Sequence, residues 1–435
     1  PSDVSIRCSR QPPPVSIVVV MGNYGATNAP GCRHIHGADR FPSAHEAIHG
    51  DLLMRMLVLG AGLQGSACAY DLLQNDEVTA VRLADIDVSR VAKFLAPFSG
   101  KRLIPTPLDV RGKDAVRALM RESDAVMSAI PYYFNGELAA LAAECGVHFC
   151  DLGGNTDIVF EQKKLDAQAR EKGITIVPDC GLAPGMVNIL AQRGIDQVDS
   201  TEEVKIFVGG LPQNPEPPLN YQIVYSLEGV LDYYTTLSWV VRDGKREQVK
   251  ALSEREPVHF DAPVGELEAF HTAGGLSTMA FRYEGQIPTM EYKTLRYPGH
   301  AQIMEAIREL GLLELEPIDV KGVMIAPRDV AVAAMGPRLT KPAGKDLVAL
   351  RVTVRGKKQG KDKTITFELV DRYDEQRGIS AMMRTTGYSL SITGQMQARG
   401  EVKPAGVHTP DECIPAETYI AELAKRGIHI RETIS

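Results

Sequence analysis

A glycine-rich turn between a strand-like run and a helix-like run constrains the fold of this 435-residue chain most. The run Met56-Leu-Val-Leu-Gly-Ala-Gly-Leu-Gln-Gly65 carries glycines at Gly60, Gly62 and Gly65. Gly60 allows a tight turn, Gly62 lets backbone amides approach a pyrophosphate, and Gly65 lets the helix pack closely on the sheet. This context predicts a dinucleotide-binding strand, turn and helix. Two further residues of the turn are predicted to contact the cofactor, Leu63 and Gln64.

An acidic residue at the end of the second apolar run indicates which dinucleotide binds. Asp85 ends the run Ala80-Val-Arg-Leu-Ala-Asp85. A carboxylate there accepts hydrogen bonds from the ribose hydroxyls and repels a 2′-phosphate, so we expect NAD. Arg90 follows closely and leaves NADP open, and incidental glycines with a capping Asp85 remain the structural alternative.

Composition restricts the partners. The length predicts two domains, and 44% apolar with 24% charged residues is typical of a globular protein. A net charge of -7 offers no basic face for nucleic acid or anionic lipid. No apolar run approaches the roughly 20 residues of a membrane helix. We therefore expect a small-molecule substrate and a homo-oligomer.

The cysteines and the first 53 residues predict the setting and the start of the folded chain. Seven scattered cysteines without a CxxC pair favour a reducing cytoplasm. Cys32, His34 and His36 lack a fourth ligand, so no metal site is predicted. The segment 1–53 has no secretory signal pattern, and we expect it to be a poorly ordered or non-native extension, with folding starting at about Met54.

After Met56 the chain alternates strand-like and helical runs, which predicts a doubly wound parallel sheet in an α/β protein of Rossmann type. Helical segments are expected at 136–144 and 161–171. Ligands bind beyond the carboxyl ends of such strands, so the residues after each strand are candidate site residues. The predicted strands are Met56–Leu59, Ala80–Ala84, Leu103–Thr106, Ala125–Ala129, His148–Asp151 and Thr175–Pro178.

The alternation breaks after Gly185, which predicts a second, α+β domain. We expect this domain to bind the substrate and, from the base rate of homo-oligomers among soluble enzymes, to contribute to dimerisation. The turn-rich segment 209–218 is predicted to be irregular, and 355–361 to be a charged hairpin loop. A helix over 379–398 is expected to return to the first domain. The predicted domains are 54–184, 185–378 and 379–435. Strands are predicted at Val204–Val208, Tyr221–Tyr225, Phe281–Tyr283, Leu347–Val354 and Thr364–Val370.

Several motifs carry a family resemblance from Met54 to the end. The chain resembles the saccharopine dehydrogenase-like oxidoreductases through Ser128-Ala-Ile-Pro-Tyr-Tyr133, Gly181-Leu-Ala-Pro-Gly185, Gly209-Gly-Leu-Pro212 and Thr294-Leu-Arg-Tyr297. It is most similar to the lysine 6-dehydrogenases in Asp151-Leu-Gly-Gly154, Pro215-Glu-Pro-Pro-Leu219, Tyr225-Ser-Leu-Glu-Gly229, Leu267-Glu-Ala-Phe-His-Thr272 with Gly274-Gly275, and Arg384-Thr-Thr386. Ala183 stands where saccharopine reductases commonly carry Asp.

The resemblance implies an NAD-dependent dehydrogenase acting on a CH-NH2 group. The implied reaction is oxidation of the ε-carbon of L-lysine, with release of ammonia and formation of 2-aminoadipate 6-semialdehyde, which cyclises to Δ1-piperideine-6-carboxylate. One alternative is reductive secondary-amine formation of the saccharopine or carboxynorspermidine dehydrogenase type. Another is a nucleotide-sensing scaffold that kept the fold without the chemistry.

This reaction needs a proton acceptor for the ε-ammonium group and an anchor for the α-carboxylate. Asp151, after a strand and before two glycines, is the preferred base or amine anchor, and capping the turn is its alternative. Asp179 is the second choice. His300 follows a Pro-Gly turn and titrates near neutrality, so it is a further acceptor candidate or else a structural histidine. Arg296 is the first choice for the carboxylate, with a domain-closing salt bridge as its alternative.

Other residues complete the predicted site. Glu228 binds the α-amine or closes a helix turn, and His271 faces the pocket from the second domain. Cys180 lines the pocket through its backbone. Tyr132 borders the substrate or packs in the core. Ile130 and Pro131 are expected beneath the nicotinamide ribose, by analogy with the family.

Overall fold

The computed structural model describes residues 53–435, which belong to one compact unit. The extension predicted at 1–53 and the candidate ligands Cys32, His34 and His36 lie outside the described residues, except for Leu53. Among residues 53–435, no helix is long and apolar enough to cross a bilayer.

The first part of the chain alternates strands and helices, as predicted. Its elements are β1 (Met54–Leu59), α1 (Leu63–Leu73), β2 (Val78–Asp85), β3 (Leu103–Pro107), α2 (Lys113–Arg121), β4 (Ala125–Ser128), α3 (Asn135–Cys145), β5 (His148–Asp151), α4 (Thr156–Lys163), α5 (Asp166–Glu171), β6 (Thr175–Val177) and α6 (Met186–Ile195). The six predicted strands are confirmed within one or two residues at each end. The helix predicted at 161–171 is divided between α4 and α5.

The middle of the chain is richer in strands. Its elements are β7 (Ser200–Pro212), α7 (Leu227–Thr235), β8 (Ser238–Arg242), β9 (Lys245–Val249), β10 (Glu256–Phe260), β11 (Gly265–His271), α8 (Met279–Arg282), β12 (Thr289–Arg296), α9 (His300–Glu309), β13 (Ile318–Val320), β14 (Val323–Ile325), α10 (Pro327–Leu339), β15 (Asp346–Lys358) and β16 (Lys361–Arg372).

The last part contains a π-helical turn, Met383–Gly387, that leads into a buried helix. Its remaining elements are α11 (Tyr388–Ala398), β17 (Gly406–Val407), α12 (Pro410–Cys413), α13 (Ala416–Lys425) and β18 (Arg431–Ile434).

The first sheet is parallel, with strand order β17-β6-β5-β4-β1-β2-β3. The strand order reverses between β1 and β4. In a doubly wound sheet this switch point opens a crevice at the carboxyl ends of the strands, where ligands bind. The fold class predicted from the alternation of strands and helices is therefore confirmed.

The second sheet is mixed. Its main path is β10-β11-β12-β7-β15-β16-β18, with β8 pairing β12 and β9. The β7 and β12 strands are parallel. The long β15 strand lies between β7 and β16 and is antiparallel to both. The largest hydrophobic cluster includes residues of both sheets, such as Val58 and Val352. The two sheets therefore share one continuous apolar core.

Several element predictions for the second part are wrong. The segment 221–225 is irregular, and Ile223 N donates to Leu339 O at 3.0 Å instead of joining a strand. The segment 281–283 lies at the end of the short helix α8. Both runs contain buried tyrosines, Tyr221 and Tyr283. Short runs of this kind do not distinguish a strand from other buried backbone.

Two predicted loops also differ. The β7 strand continues through Gly209 to Pro212, because only one of the prolines of 209–218 falls within it, at its last position. The predicted charged loop 355–361 is mostly strand, and the turn is confined to Gln359 and Gly360.

The C-terminal segment is joined to α1 by a buried ion pair. Asp71 is 3% exposed and accepts from Arg426 Nε at 2.7 Å and from Ser391 Oγ at 2.7 Å. Burial raises the pKa of Asp71 despite the Arg426 guanidinium beside it. A charge this deeply buried depends on its partner.

We predict that Arg426→Ala destabilises the protein by about 3–5 kcal/mol, because it leaves the Asp71 carboxylate buried and unpaired. Denaturant unfolding, followed by far-UV circular dichroism, measures the change. Lys164→Ala, which removes an exposed pair with Glu161, is the control and should have a far smaller effect. Equal effects of the two substitutions would contradict the prediction.

Candidate active site

The glycine-rich turn has the geometry that close packing requires. Gly60 has a φ of +101°, and a Cβ there would lie 2.7 Å from the carbonyl oxygen of Ala129. A Cβ at Gly65 would lie 1.8 Å from Gly60 O, so α1 rests directly on the turn. Gly62, in contrast, faces open space. Glycine is thus sterically required at Gly60 and Gly65, and Gly62 leaves room for a ligand.

The N-terminus of α1 fits a pyrophosphate. No side chain of residues 53–435 caps this helix, so the amides of its first turn can donate to an anion. Leu63 is 54% exposed beside the turn. Both amide atoms of the Gln64 side chain are buried without a hydrogen-bond partner among the described residues. Unsatisfied polar groups at this position fit a bound dinucleotide.

Asp85 lies at the carboxyl end of β2, beside the glycine-rich turn. Its Oδ2 accepts from Ala61 N at 2.7 Å and its Oδ1 accepts from Asp87 N at 2.9 Å. The carboxylate is therefore held in a fixed position next to the turn. The side chain of Arg90, which left NADP open, is not among those described.

A buried carboxylate joins the loops that follow β5 and β6. Asp151 is fully buried, and its Oδ1 accepts from Gly153 N at 2.7 Å and from Asp179 N at 3.4 Å. Its Oδ2 accepts from Gln162 Nε2 at 2.7 Å. Burial raises the pKa of Asp151 to about 6, and these donors oppose the increase. Both oxygens of Asp151 are therefore committed to protein donors.

Asp179 is the second carboxylate at this edge, and it has fewer donors. It has a φ of +63°, in the left-handed region, and is 2% exposed. Ser277 Oγ donates to its Oδ2, and Gly154 N lies 3.4 Å from its Oδ1. Burial raises the pKa of Asp179 to about 7, opposed by the Ser277 hydrogen bond. This carboxyl group can exchange a proton near neutral pH.

Aromatic side chains border the glycines beside Asp179. A Cβ at Gly154 would lie 3.2 Å from Tyr233 Oη and 3.7 Å from Tyr132 Cδ1. A Cβ at Gly274 would lie 3.3 Å from Tyr233 Cε1. Glycines thus let the loops from both sheets approach the same tyrosine. Tyr132 lies in a 3-10 turn that follows Pro131 and the end of β4.

The residues that precede Tyr132 lie beside the glycine-rich turn. A Cβ at Gly60 would lie 2.9 Å from Ile130 Cγ2. Pro131 is exposed at the start of the 3-10 turn. The carboxyl end of β4 is therefore next to the turn that begins α1.

Arg296 is a buried cation at the end of β12. It is 3% exposed, its Nε donates to Tyr234 Oη at 3.2 Å, and its Nη1 donates to Leu295 O at 2.8 Å. The guanidinium lies 4.9 Å from the centre of the Tyr221 ring. None of its partners among residues 53–435 is a carboxylate. A buried guanidinium without an internal counter-ion fits an anionic ligand.

His300 orients Tyr234 and, through it, Arg296. The His300 Nδ1 lies 3.0 Å from Leu219 O, which can only accept, so Nδ1 carries the proton. Burial, with Arg296 nearby, lowers the pKa of His300 to about 3, so the ring is neutral. Its Nε2 therefore accepts from the Tyr234 hydroxyl at 3.0 Å. Both ring nitrogens serve protein partners, and the Tyr234 oxygen is left to accept from Arg296.

His271, the last residue of β11, lies in a polar cluster with Glu254 and Glu291. Its Nε2 is 3.2 Å from Glu254 Oε2 and 3.8 Å from Glu291 Oε2. These three side chains can approach one metal ion. However, Glu254 is also paired with Arg242, and Glu291 with Lys205 at 3.3 Å. The carboxylates thus already have cationic partners.

Neither the Glu228 side chain nor the Cys180 thiol contacts the Asp179 carboxylate or the Arg296 guanidinium in the hydrogen bonds of residues 53–435. Glu228 is exposed in the first turn of α7, which Ser226 caps by accepting from Gly229 N at 3.2 Å. Cys180 is buried, and its backbone N donates to Asp151 O at 2.7 Å. Burial raises the pKa of the Cys180 thiol well above its ordinary value. A protonated, buried thiol is a poor nucleophile.

Sequence reasoning missed three site residues. Ser277 reaches Asp179 across 98 residues of chain, Tyr233 borders Gly154, and Tyr234 connects His300 to Arg296. The signals available were the Gly274-Gly275 pair before Ser277 and the adjacent tyrosines in α7. Neither signal shows which distant residue these side chains contact.

The parallel sheet with its glycine-rich turn, and the buried carboxylates Asp151 and Asp179 at neighbouring strand ends, are typical of a dinucleotide-dependent oxidoreductase. Comparison with known families narrows this class. The Saccharopine dehydrogenase NADP binding domain matches residues 56–177, and the Saccharopine dehydrogenase C-terminal domain matches residues 181–428. The chain belongs to the saccharopine dehydrogenase family.

Individual relatives agree with this assignment. Saccharopine dehydrogenase [NADP(+), L-glutamate-forming] of Saccharomyces cerevisiae is 24% identical over 87% of this chain and 98% of its own length. The mitochondrial alpha-aminoadipic semialdehyde synthase of Mus musculus is 25% identical over 60% of this chain, which is 29% of that protein. The solved apo structure of the yeast saccharopine dehydrogenase has a TM-score of 0.72 with 22% identity, and covers 88% of this chain and 100% of that one.

We predict that the His300 ring stays neutral, with the proton on Nδ1, from about pH 5 to pH 9, because burial lowers its pKa to about 3. Nitrogen-15 chemical shifts of labelled histidine measure the tautomer, and His300→Gln identifies the signal. A His300 signal that titrates near pH 6.5 would contradict a neutral His300 that accepts a hydrogen bond from Tyr234.

Proposed function

We propose that this protein is an NAD-dependent dehydrogenase that oxidises the ε-carbon of L-lysine. The products are ammonia and 2-aminoadipate 6-semialdehyde, which cyclises to Δ1-piperideine-6-carboxylate. One observation carries most of the proposal: among residues 53–435, buried Arg296 has no carboxylate partner, and it contacts Tyr234 of α7. The adjacent Tyr233 borders Gly154, whose backbone N lies 3.4 Å from Asp179 Oδ1. An anion anchor and a proton acceptor that neighbour consecutive residues of one helix suit an extended amino acid.

Arg296 holds the α-carboxylate of the substrate in this proposal. The guanidinium is oriented by Tyr234, whose own hydroxyl is fixed by neutral His300. A fixed guanidinium can donate two parallel hydrogen bonds to a carboxylate. Arg296 is thus the substrate anchor, and His300 is a positioning residue.

Asp179 takes the proton of the ε-ammonium group. A hydride can leave the ε-carbon only when the nitrogen lone pair is free, so the proton must be removed first. With a pKa of about 7, the Asp179 carboxyl group accepts this proton near neutral pH. Water then adds to the imine, and ammonia leaves. Asp151 fixes the backbone of the two loops, and its hydrogen bonds leave it a positioning role.

The cofactor we propose is NAD. The residues present fit it: uncapped α1 amides for the pyrophosphate and the fixed Asp85 carboxylate for the ribose hydroxyls. When bound, the nicotinamide supplies the hydride acceptor. Ile130 and Pro131, beside the turn, would lie beneath the nicotinamide ribose.

A second candidate is the saccharopine dehydrogenase reaction, which the named relatives favour. A cavity of about 400 Å³ is lined by Tyr221, whose ring underlies Arg296, and also by Gln222, Lys341 and Lys345. Such a cavity can hold a second carboxylate-bearing fragment. Relatives named for NADP also favour a different cofactor. Ala183 and Asp85 favour the lysine reaction.

The deciding assay supplies the purified full chain with NAD or NADP and with L-lysine or saccharopine. We expect reduced nicotinamide to form from NAD and L-lysine with an equal amount of ammonia. Turnover of saccharopine with release of glutamate, and none of L-lysine, would replace the first candidate by the second. No turnover of either substrate with either cofactor would contradict both.

We predict that Asp179→Asn lowers kcat for the oxidation of L-lysine by about 100-fold or more, because it removes the proton acceptor. In the wild type, kcat/KM should fall as the pH drops below about 7, where the carboxyl group is protonated. Ser277→Ala, which removes the hydrogen bond that stabilises the carboxylate, should move this fall to higher pH. Initial rates between pH 5 and pH 9 measure both effects.

Thermal unfolding of Asp179→Asn shows whether a loss of activity comes from the missing proton acceptor or from a less stable protein. The raised pKa of Asp179 contributes stability below its unfolded pKa of about 4, and this contribution is lost as the pH rises through about 7. Asp179→Asn should therefore unfold no earlier than the wild type at pH 8. An active Asp179→Asn with an unchanged pH profile would exclude Asp179 as the acceptor.

A further inference from the structure

A polar cavity of about 680 Å³ is lined by residues from the C-terminal end of α1, from α11 and from α13. Its lining is mostly charged and amide side chains, and neither Asp179 nor Arg296 belongs to it. Arg384, from the π-helical turn, is part of the lining. The proposed oxidation of lysine gives this cavity no role, although its volume is that of a small-molecule site.

Two largely buried arginines of the cavity keep unpartnered N–H groups. Arg384 donates through Nε and Nη2 to Asp371 at 2.9 and 3.2 Å, and its Nη1 lies 3.6 Å from Asp374 Oδ2. Arg426 uses Nε in the ion pair described above and donates through Nη1 to Glu422 at 2.6 Å. Within residues 53–435, Arg384 Nη1 and Arg426 Nη2 make no hydrogen bond. A guanidinium group stays charged, so these N–H groups need an acceptor.

Two further arginines of the cavity show the same pattern. Arg377 donates through Nη1 to Asp374 at 2.7 Å, and its Nη2 has no hydrogen-bond partner in the part of the chain that the structure describes. Arg399 donates through Nε to Glu77 at 3.1 Å, and its Nη1 lies 3.7 Å from Glu422 Oε1, at ion-pair distance only. Four guanidinium groups around one cavity therefore each leave a terminal nitrogen without a hydrogen bond.

The two buried carboxylates of the cavity are satisfied, in contrast. Asp71 accepts at both oxygens, and Glu422 accepts from Lys425 at Oε1 and from Arg426 at Oε2. The hydroxyl of Tyr388, which is 4% exposed and lines the cavity, makes no hydrogen bond with residues 53–435. The groups that lack partners are thus donors, most of them on cations. Such a set favours a ligand with oxyanion groups.

The π-helical turn connects this cavity with the cofactor turn. A Cβ at Gly387 would lie 2.7 Å from Gln64 O, so the π-helical turn that contains Arg384 rests on the start of α1. Just after this turn, Ser389 Oγ donates to Gly181 O at 3.1 Å, in the loop that follows β6. Turns of this kind frequently occur at functional sites. A ligand that contacts Arg384 therefore contacts an element that packs on both loops of the candidate site.

We propose that this cavity is an effector site for a small metabolite that carries carboxylate or phosphate groups. The unpartnered terminal nitrogens of the four arginines donate to its oxyanions, and the Tyr388 hydroxyl donates to the same ligand. The coupling rests on the proposed cofactor site at the other end of α1. If the effector changes the affinity for the dinucleotide by some factor, the dinucleotide changes the affinity for the effector by the same factor.

Isothermal titration calorimetry of the full chain, with inorganic phosphate or with citrate at constant ionic strength, tests the site. We expect at least one of the two anions to bind. Binding of phosphate alone identifies phosphate groups as the recognised chemistry, and binding of citrate alone identifies carboxylates. Tyr388→Phe, which removes a hydroxyl without a protein partner, and Arg399→Gln should each weaken binding about 10-fold or more, with unchanged circular dichroism.

Arg111→Gln is the matched control, because Arg111 is paired with Asp109 outside the cavity. This variant should bind the anion like the wild type. No binding of either anion at millimolar concentration would overturn the proposal. Folded cavity variants that bind like the wild type, or equal weakening by Arg111→Gln, would also overturn it and indicate an adventitious ion only.

Fluorescence titration with NADH and NADPH, with and without the bound anion, measures the coupling. We expect the dissociation constant of the dinucleotide to change when the cavity is occupied, and Tyr388→Phe should reduce this change. An unchanged dissociation constant would overturn the effector role. Neither titration requires turnover, so a failure of lysine oxidation is distinguished from a failure of this site.

Discussion

The hydrogen bonds of the buried Asp151 carboxylate hold the candidate site together. One oxygen accepts from the backbone of both strand-end loops, at Gly153 and Asp179, and the other accepts from Gln162 on α4. The carboxylate thereby fixes the distance between the loop that follows β5 and the loop that follows β6. The left-handed backbone of Asp179 and its contact with Ser277 both depend on this arrangement.

Electrostatic conditions at the site follow from which groups stay charged. Burial lowers the pKa of His300 to about 3 and raises that of Asp179 to about 7, so near neutral pH the histidine is neutral and the aspartate is balanced between its two forms. Arg296 retains its charge because a guanidinium is protonated at any ordinary pH. The Arg296 guanidinium contacts the Tyr221 ring and the Tyr234 hydroxyl. The Asp179 carboxyl group accepts from Ser277 instead. In the proposed function, Arg296 binds the substrate carboxylate and Asp179 takes the ammonium proton.

The parallel sheet could be predicted from sequence because its signals are local. Strand runs, the glycine spacing and the acidic end of β2 each lie within a short window, and Asp151 and Asp179 stood out because the ends of neighbouring parallel strands meet. The remaining contacts depend on distant chain segments. Ser277 and Asp179 are 98 positions apart in the sequence. His300 and its hydrogen-bond partner Tyr234 are 66 positions apart. The aromatic runs at 221–225 and 281–283 were misassigned for the same reason, since tertiary packing rather than period determines their backbone.

The final residues add a strand to each sheet. β17 pairs with β6 in the first sheet, and β18 pairs with β16 in the second. During synthesis, therefore, the first sheet is completed only after β17 has left the ribosome, and the second only after β18 has left it. The nucleotide-binding part precedes the rest in sequence but cannot finish folding ahead of it. Completion of both sheets, and of the apolar core that they share, is thus a late event in folding.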